Sequence, residues 1–284
     1  MIAHEFAYTK PTTLAEALDL LAHDDAKALS GGMSLIPMMK LRLAIPATVV
    51  DLSGLTELTK IEQNGTIQIG ALTTHFEIES SKLIHQHCPL LAETAAQIGD
   101  VQIRNMGTIG GAVAHNDPSA DYPAALIALN AEVRLQSKTG MRLMPYSSFI
   151  VDALTTSLEP GEIVTHIIVP SDGPGTGTCY KKVPQAASGY AVVGIAVRIT
   201  KEGVASIGIT GLASKAFRAT KAEAALLQGS TVAEAAVLVT EGVDASADIH
   251  CSADYRKHLA RVHAARAITA ALQNRDRKGA GFLT

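Results

Sequence analysis

Two short glycine-rich stretches carry the residue types that grip an anion. The first is Ser30-Gly31-Gly32-Met33-Ser34-Leu35, and the second is Gly107-Thr108-Ile109-Gly110-Gly111-Ala112. Each sets paired glycines beside a hydroxyl residue. Glycine accepts positive φ and lets the backbone come close to a ligand, and consecutive N–H groups in such turns form anion-binding concavities. Together they fit a diphosphate held from two sides. Gly31, Gly32 and Ser34 would offer N–H donors and a hydroxyl from one, and Thr108, Gly110 and Gly111 the same from the other. Two ordinary tight turns would use the same residues. The first stretch lacks G-x-x-x-x-G-K-[ST], which argues against a P-loop, and it lacks the G-x-G-x-x-G of the Rossmann fingerprint.

Other candidate chemistry is thin. His85, His87 and Cys88 lie close together, but no second ligand group at a metal-binding spacing accompanies them. Cys88, Cys179 and Cys251 form an odd, widely spaced set, which argues against a disulfide framework. An iron–sulfur cluster takes four thiolates, and the chain has 3 cysteines, so any such cluster belongs elsewhere.

Composition sets further bounds. The chain has 284 residues, 47% hydrophobic and 18% charged, with a net charge of −3. That describes one or two globular domains with a real core. The sequence has neither a basic run nor aromatic-basic interleaving, so nucleic acid is not an expected partner. No apolar stretch is long enough for a membrane span. Met1-Ile2-Ala3-His4-Glu5-Phe6 does not read as a secretory signal, so a cytoplasmic location is expected.

The elements that must position the glycines are readable from pattern. An extended run passes through Phe6 and Tyr8. Thr13 with Glu16, Thr74 with Glu77, Thr220 with Glu223 and Thr231 with Glu234 fit helix-starting capping boxes. Lys27-Ala28-Leu29 reads as a strand ending in the first glycine turn, with a helix from Leu35 to Leu43 and a strand at Thr48–Leu52 after it. Further strands are expected at Gly65–Gly70, Glu132–Leu135 and Ile163–Val169, and helical pattern up to Ile98 and over Pro118–Leu129. Pro170-Ser171-Asp172-Gly173-Pro174-Gly175-Thr176-Gly177 is a strong breaker. Three strands follow, at Thr178–Val183, Tyr190–Thr200 and Val204–Gly211, with Lys201-Glu202-Gly203 as the turn between the last two. A final helix is expected from Asp254 to Leu272, then a loosely held tail from Gln273.

Ser30-Gly31-Gly32-Met33-Ser34-Leu35-Ile36-Pro37 is followed by Lys40-Leu41-Arg42 and Val50-Asp51-Leu52. Gln102-Ile103-Arg104-Asn105-Met106-Gly107-Thr108-Ile109-Gly110-Gly111 is followed by Asn116-Asp117-Pro118 and Asp121. Tyr180-Lys181-Lys182 precedes Tyr190-Ala191-Val192-Val193. In this order the motifs resemble the FAD-binding medium subunit of molybdenum hydroxylases, from near residue 2 to beyond residue 260.

The resemblance implies an α+β protein. Residues 1–173 would form a two-subdomain FAD-binding domain of the vanillyl-alcohol-oxidase (PCMH) type. Residues 178–284 would form a C-terminal domain with a three-stranded antiparallel sheet and a helix bundle. FAD would lie between them, its diphosphate held by Ser30, Gly31, Gly32, Met33, Ser34 and Leu35 and by Thr108, Ile109, Gly110, Gly111 and Ala112. Asp121 would bond the ribityl or adenosine part, or else cap the helix before Pro123. Lys182, or Lys181 beside it, would be a flavin-side lysine or a solvated strand lysine. Tyr190 would lie near the isoalloxazine or fill the core. Arg104 and Asn105 would organise the loop before Gly107. Met33 stands where more distant oxidases of this fold attach flavin through histidine, so the FAD is expected to be noncovalent. Ala112 in place of a common Asn or Asp, and His115-Asn116 in place of Asn-Gly, put side-chain contacts in question and leave backbone contacts intact.

The function so implied is an electron-transfer flavoprotein with no catalytic side chain of its own. A large molybdopterin subunit would oxidise the organic substrate and set its identity. A small [2Fe–2S] subunit would relay electrons to the FAD, and an external acceptor would reoxidise it. The assembly would be a dimer of heterotrimers. Two other classes remain: a self-contained flavin oxidase or reductase with His75, His115 or Tyr190 as acid or base, and a non-catalytic nucleotide-binding or scaffolding protein.

Overall fold

The computed structural model describes residues 2–23 and 25–280, with the side chains of 277–280 excepted. Thr13 accepts a hydrogen bond from the Glu16 N–H and starts α1 (Leu14–Leu21), which buries Ala17, Leu18 and Leu21. The expected capping box is half made, because the Glu16 carboxylate accepts from the Thr12 N–H instead. Around α1 lie β1 (Ala7–Thr9), β2 (Ala26–Leu29), α2 (Leu35–Lys40) and β3 (Thr48–Asp51). The strands form a parallel sheet ordered β1-β3-β2. Its helical crossovers are what parallel pairing requires. Val50, Leu52, Leu55 and Leu58 close this first core against α1.

The second subdomain is an antiparallel sheet, ordered β4-β5-β10-β6-β7. A turn at Gly65 (φ +73) joins β4 (Ile61–Asn64) to β5 (Thr66–Gly70). Short helices follow: α3 (His75–Ser80), α4 (Lys82–His87), α5 (Pro89–Ala95), α6 (Val101–Met106), α7 (Ile109–His115) and α8 (Tyr122–Ala128). The Thr74–Glu77 capping box at α3 is complete. Then come β6 (Glu132–Ser137), β7 (Gly140–Pro145), α9 (Tyr146–Phe149), the small hairpin of β8 (Ile150–Asp152) and β9 (Thr155–Thr156), and β10 (Ile163–Pro170). The apolar face of this sheet packs on α5 and α8, burying Ile67, Ile69, Leu91, Leu126, Val133 and Ile167 completely or nearly so.

The C-terminal part has the three expected strands, β11 (Gly177–Pro184), β12 (Ala191–Ile199) and β13 (Ala205–Thr210), plus a two-residue edge strand, β14 (Phe217–Arg218), all antiparallel. Helices α10 (Thr220–Leu227), α11 (Val232–Leu238) and α12 (Ala253–Ala280) cover the outer face. The Thr231–Glu234 capping box forms as expected. The Thr220–Glu223 box does not. Thr220 is already helical, and the Glu223 carboxylate accepts from the Ile207 N–H at 2.6 Å and from Arg218 Nε at 2.8 Å. The expected loose tail is corrected as far as it is described. α12 runs on to Ala280, Asn274 donates to the Thr178 carbonyl, and a Cβ on Gly177 would lie 1.9 Å from the Ala271 carbonyl oxygen. Residues 281–284 lie outside the described residues.

The Pro170–Gly177 breaker separates strands of two sheets without dividing the core. Tyr180 and Ala196 of the C-terminal sheet belong to the same buried cluster as α8. A Cβ on Gly208 would lie 1.9 Å from the Ala124 carbonyl oxygen, so the sheet rests directly on that helix.

Candidate cofactor-binding site

The two glycine stretches meet. The first leaves β2 at Leu29, turns through Gly32 at φ +74 and enters α2 after Ser34. The second leaves α6 at Met106, and Thr108 caps α7 by accepting from the Gly111 N–H at 3.1 Å. Gly110 and Gly111 therefore lie in the first turn of a helix rather than in a loop, a correction to the reading from sequence. Ser30 Oγ and Thr108 Oγ1 are 2.6 Å apart and share a hydrogen bond. A Cβ on Gly31 would lie 1.9 Å from the Met106 carbonyl oxygen, and one on Gly110 would lie 2.4 Å from Ala71 Cβ. These glycines permit chain to pack on chain as much as chain on ligand.

Donor accounting separates the two stretches further. The N–H groups of Ile109, Gly110, Gly111 and Ala112 are bonded within the protein, to Thr73 O, Ala71 O, Thr108 Oγ1 and Thr108 O. The expectation that Gly110 and Gly111 donate to a diphosphate is thus not met by their backbone. In the first stretch, the N–H groups of Gly31, Gly32, Met33, Ser34 and Leu35 have no partner among the described residues. Backbone donors are rarely left without one, so this row is the stronger anion site.

Both stretches line a cleft of about 790 Å³, a size suited to a large ligand. Its lining includes Leu21, Ala22, Pro160 and Gly161, and also Ile98, Gly99, Ser188 and Tyr190. The Ile98–Gly99 and Ser188–Tyr190 walls approach each other, since a Cβ on Gly189 would sit 3.5 Å from Gly99 Cα. Ser30, Gly31, Gly32, Met33, Ser34 and Leu35 border the cleft, as do Thr108, Gly110, Gly111, Ala112, Asp121 and Tyr190. Ile109 and Lys182 do not. Ile109 is fully buried in the core.

Lys182 lies beneath Asp121. Its Nζ donates to Asp121 Oδ2 at 2.9 Å and to the Gln97 carbonyl at 2.8 Å, while the Tyr180 hydroxyl donates to Asp121 Oδ1 at 2.6 Å. The Lys182 and Asp121 side chains are 2% and 4% exposed. That excludes a solvated lysine and a simple N-cap. Burial raises the Asp121 carboxyl above its ordinary range, and the Lys182 ammonium and Tyr180 hydroxyl oppose that rise. Strand alternation points the exposed Lys181 the other way. Tyr190 is on the rim, 42% exposed, and so is not core filling. Arg104 pairs with Glu79 and donates to the Ile98 carbonyl, and Asn105 donates to the Val101 carbonyl, so both organise the loop. His85 and His87 are engaged by Glu79 O, Gln63 and Ser171.

The comparisons with known proteins decide the family. A model described as the FAD-binding domain in molybdopterin dehydrogenase matches residues 4–172, and one described as the CO dehydrogenase flavoprotein C-terminal domain matches residues 178–271. The chain belongs to the FAD-binding medium subunits of molybdenum hydroxylases. It is 37% identical to the carbon monoxide dehydrogenase medium chain of Hydrogenophaga pseudoflava, over 95% of this chain and 98% of that one. It is equally similar, at 37%, to 6-hydroxypseudooxynicotine dehydrogenase complex subunit alpha of Paenarthrobacter nicotinovorans, over 94% of each. A solved structure of the Hydrogenophaga pseudoflava carbon monoxide dehydrogenase, lacking the Mo-pyranopterin moiety, superposes with a TM-score of 0.92, covering 96% of this chain and 99% of that one at 38% identity. Members of this family are oxidoreductase subunits that carry FAD, with molybdenum and iron–sulfur centres on other subunits.

The cleft of this medium subunit fits such a cofactor. The unpartnered N–H row suits a diphosphate, the Ser30–Thr108 hydroxyl pair lies beside it, and Tyr190 lines the same cleft. His75 is the residue that sequence reasoning undervalued, naming it only as an acid or base for a different enzyme class. Its position directly after the capping Thr74 was the available signal. It is 5% exposed, lines the cleft, and packs edge-on against Tyr122 at 5.3 Å. Burial, with the nearby Arg104 charge, pushes its pKa from 6.5 down to about 4. The unfolded chain therefore binds more protons between those values. Stability of the flavin-free medium subunit should be full above pH 6.5 and fall by about 3 kcal/mol as pH drops to about 4. Urea unfolding across that range checks this. His166 and His263 are shifted in the same direction, so the His75 share is the difference from His75→Gln, and parallel pH curves for the two proteins would refute it.

Proposed function

We propose that this chain is the FAD-carrying electron-transfer subunit of a heteromeric molybdenum hydroxylase. It receives electrons from the [2Fe–2S] clusters of a small partner, which are reduced at a molybdopterin centre on a large partner. It delivers them to an external acceptor. The observation that carries this reading is the two-stretch cleft with its unpartnered N–H row, in a chain alike along nearly its whole length to medium chains of such complexes.

Bound FAD supplies the two-electron-to-one-electron exchange; the protein supplies the rest. The N–H groups of Gly31 to Leu35 hold the diphosphate, with the Ser30 and Thr108 hydroxyls beside them. The Asp121 carboxylate, fixed by Tyr180 and Lys182, keeps acceptor capacity for a cofactor hydroxyl. Tyr190, on the rim, covers the isoalloxazine ring. Met33 lacks the imidazole through which histidine attaches flavin at this position, so the FAD is held noncovalently. Cys88, Cys179 and Cys251 are all buried and too few for a cluster, which supports a reading in which the iron–sulfur centres sit on a partner.

The test is native purification through a tag on this chain, from the cytoplasm of its own host. The expected product contains three different subunits, molybdenum, iron and one FAD per copy released by acid, with the mass of a dimer of heterotrimers. A flavin-containing chain that oxidises an organic substrate alone would establish a self-contained oxidase instead. A colourless chain that takes up no FAD would point to scaffolding.

A further inference from the structure

We propose that His75 is a cofactor-binding residue that donates a hydrogen bond from its Nε2–H to the FAD between the diphosphate and the Tyr190 end of the cleft. This rests on the FAD reading above and adds to it a neutral donor outside both glycine stretches.

Four observations carry it. The ring is nearly buried yet lines the same cleft as Ile98, Gly99 and Tyr190. It is fixed in place from several sides. The His75 N–H donates to the Gly107 carbonyl, the Thr74–Glu77 box anchors its helix, and Tyr122 packs on its edge. Neither ring nitrogen has a hydrogen-bond partner among the described residues, although the helix that carries the ring is fully capped. Finally, the two nitrogens differ in surroundings. Nδ1 is shielded from any ligand, whereas Nε2 lies at the Gly107 wall of the cleft, 2.6 Å from where a Cβ of that glycine would stand.

The tautomer follows from that difference. A shielded N–H without an acceptor is rarer and costlier than a shielded bare nitrogen. The proton therefore sits on Nε2, and the ring presents an uncharged donor to the cleft, its low basicity keeping it uncharged throughout the neutral range. A neutral donor suits an oxygen or nitrogen acceptor on the ribityl or flavin portion. The absence of Cβ at Gly107 is what leaves room for the ring there.

The experiment compares His75→Leu, His75→Gln and His75→Asn in the assembled complex, stripped of flavin and titrated with FAD. Glutamine places its amide nitrogen near the position of Nε2; asparagine places its own near Nδ1. His75→Leu and His75→Asn should each weaken FAD binding about tenfold, the worth of one lost hydrogen bond to a desolvated partner. They should also shift the visible absorbance of bound flavin. His75→Gln should stay within about threefold of wild type. Equal FAD affinity and spectrum in all four proteins would overturn the assignment. So would equal weakening in all three variants that tracks their loss of thermal stability, since that marks packing alone. If wild type itself takes up no FAD, the flavoprotein reading fails first, and the stripped wild-type titration shows this separately.

Discussion

Lys182→Met should destabilise the protein by about 3–5 kcal/mol, the usual cost of removing one partner from a buried ion pair. The Asp121 carboxylate would stay desolvated with only the Tyr180 hydroxyl to satisfy it. The Gln97 carbonyl would lose its donor too, and Gln97 leads directly into Ile98 and Gly99, which line the cleft. The variant should therefore also lose FAD more readily than its stability alone explains. Asp121→Asn combined with Lys182→Met removes both charges and should recover most of the loss, because a neutral amide can still accept from Tyr180. Urea unfolding of the four proteins of this cycle gives the coupling energy. A single-variant cost under about 1 kcal/mol would show the pair to be as weak as a surface bridge, and would deny Lys182 its part in shaping the cleft.

That pair also shows where sequence reading stops. Lys181 and Lys182 are adjacent and chemically alike, and only strand alternation sends one to solvent and the other under Asp121. The sequence places Lys182 on the same face as the buried Tyr180, which is a usable signal. A separation of 61 positions between Asp121 and Lys182 hides the contact itself. Elements with a buried face were legible: α1, α3 and α11 from their caps, and β5, β10, β12 and β13 from apolar runs. The strands that escaped notice are edges. β4 exposes three of its four residues and β7 has no residue buried, so neither carries the alternation that one buried face imposes. Helix α7 was obscured by Gly110 and Gly111, poor helix formers that are there because Ala71 lies against Gly110. The donor accounting was equally out of reach. Whether a glycine N–H is free depends on Ala71 and Thr73, which approach from another element.

Gly31→Ala is expected to cost the site its cofactor, while Gly111→Ala leaves it nearly intact. Both substitutions add one methyl group to a glycine in the same cleft, and neither glycine has positive φ. Backbone strain is therefore the same in each, and the surroundings decide. At Gly31 the new Cβ would stand 1.9 Å from the Met106 carbonyl oxygen and 2.8 Å from Gly107 Cα, both backbone atoms with no rotamer to yield. The two stretches would have to part, breaking the 2.6 Å Ser30–Thr108 bond and turning the N–H row of Gly31 to Leu35 away from α7. Overpacking of this kind costs about 1–3 kcal/mol, which read on binding is roughly a tenfold to hundredfold loss of FAD affinity. At Gly111 the nearest atom is Thr108 Oγ1 at 3.0 Å, a side chain able to shift by a few tenths of an ångström. FAD titration of the stripped complex separates the two cases. Should Gly31→Ala bind FAD like wild type, contact between the stretches is not what forms the anion site. A loss confined to Gly111→Ala would move the phosphate grip to the α7 side, against the count of free donors.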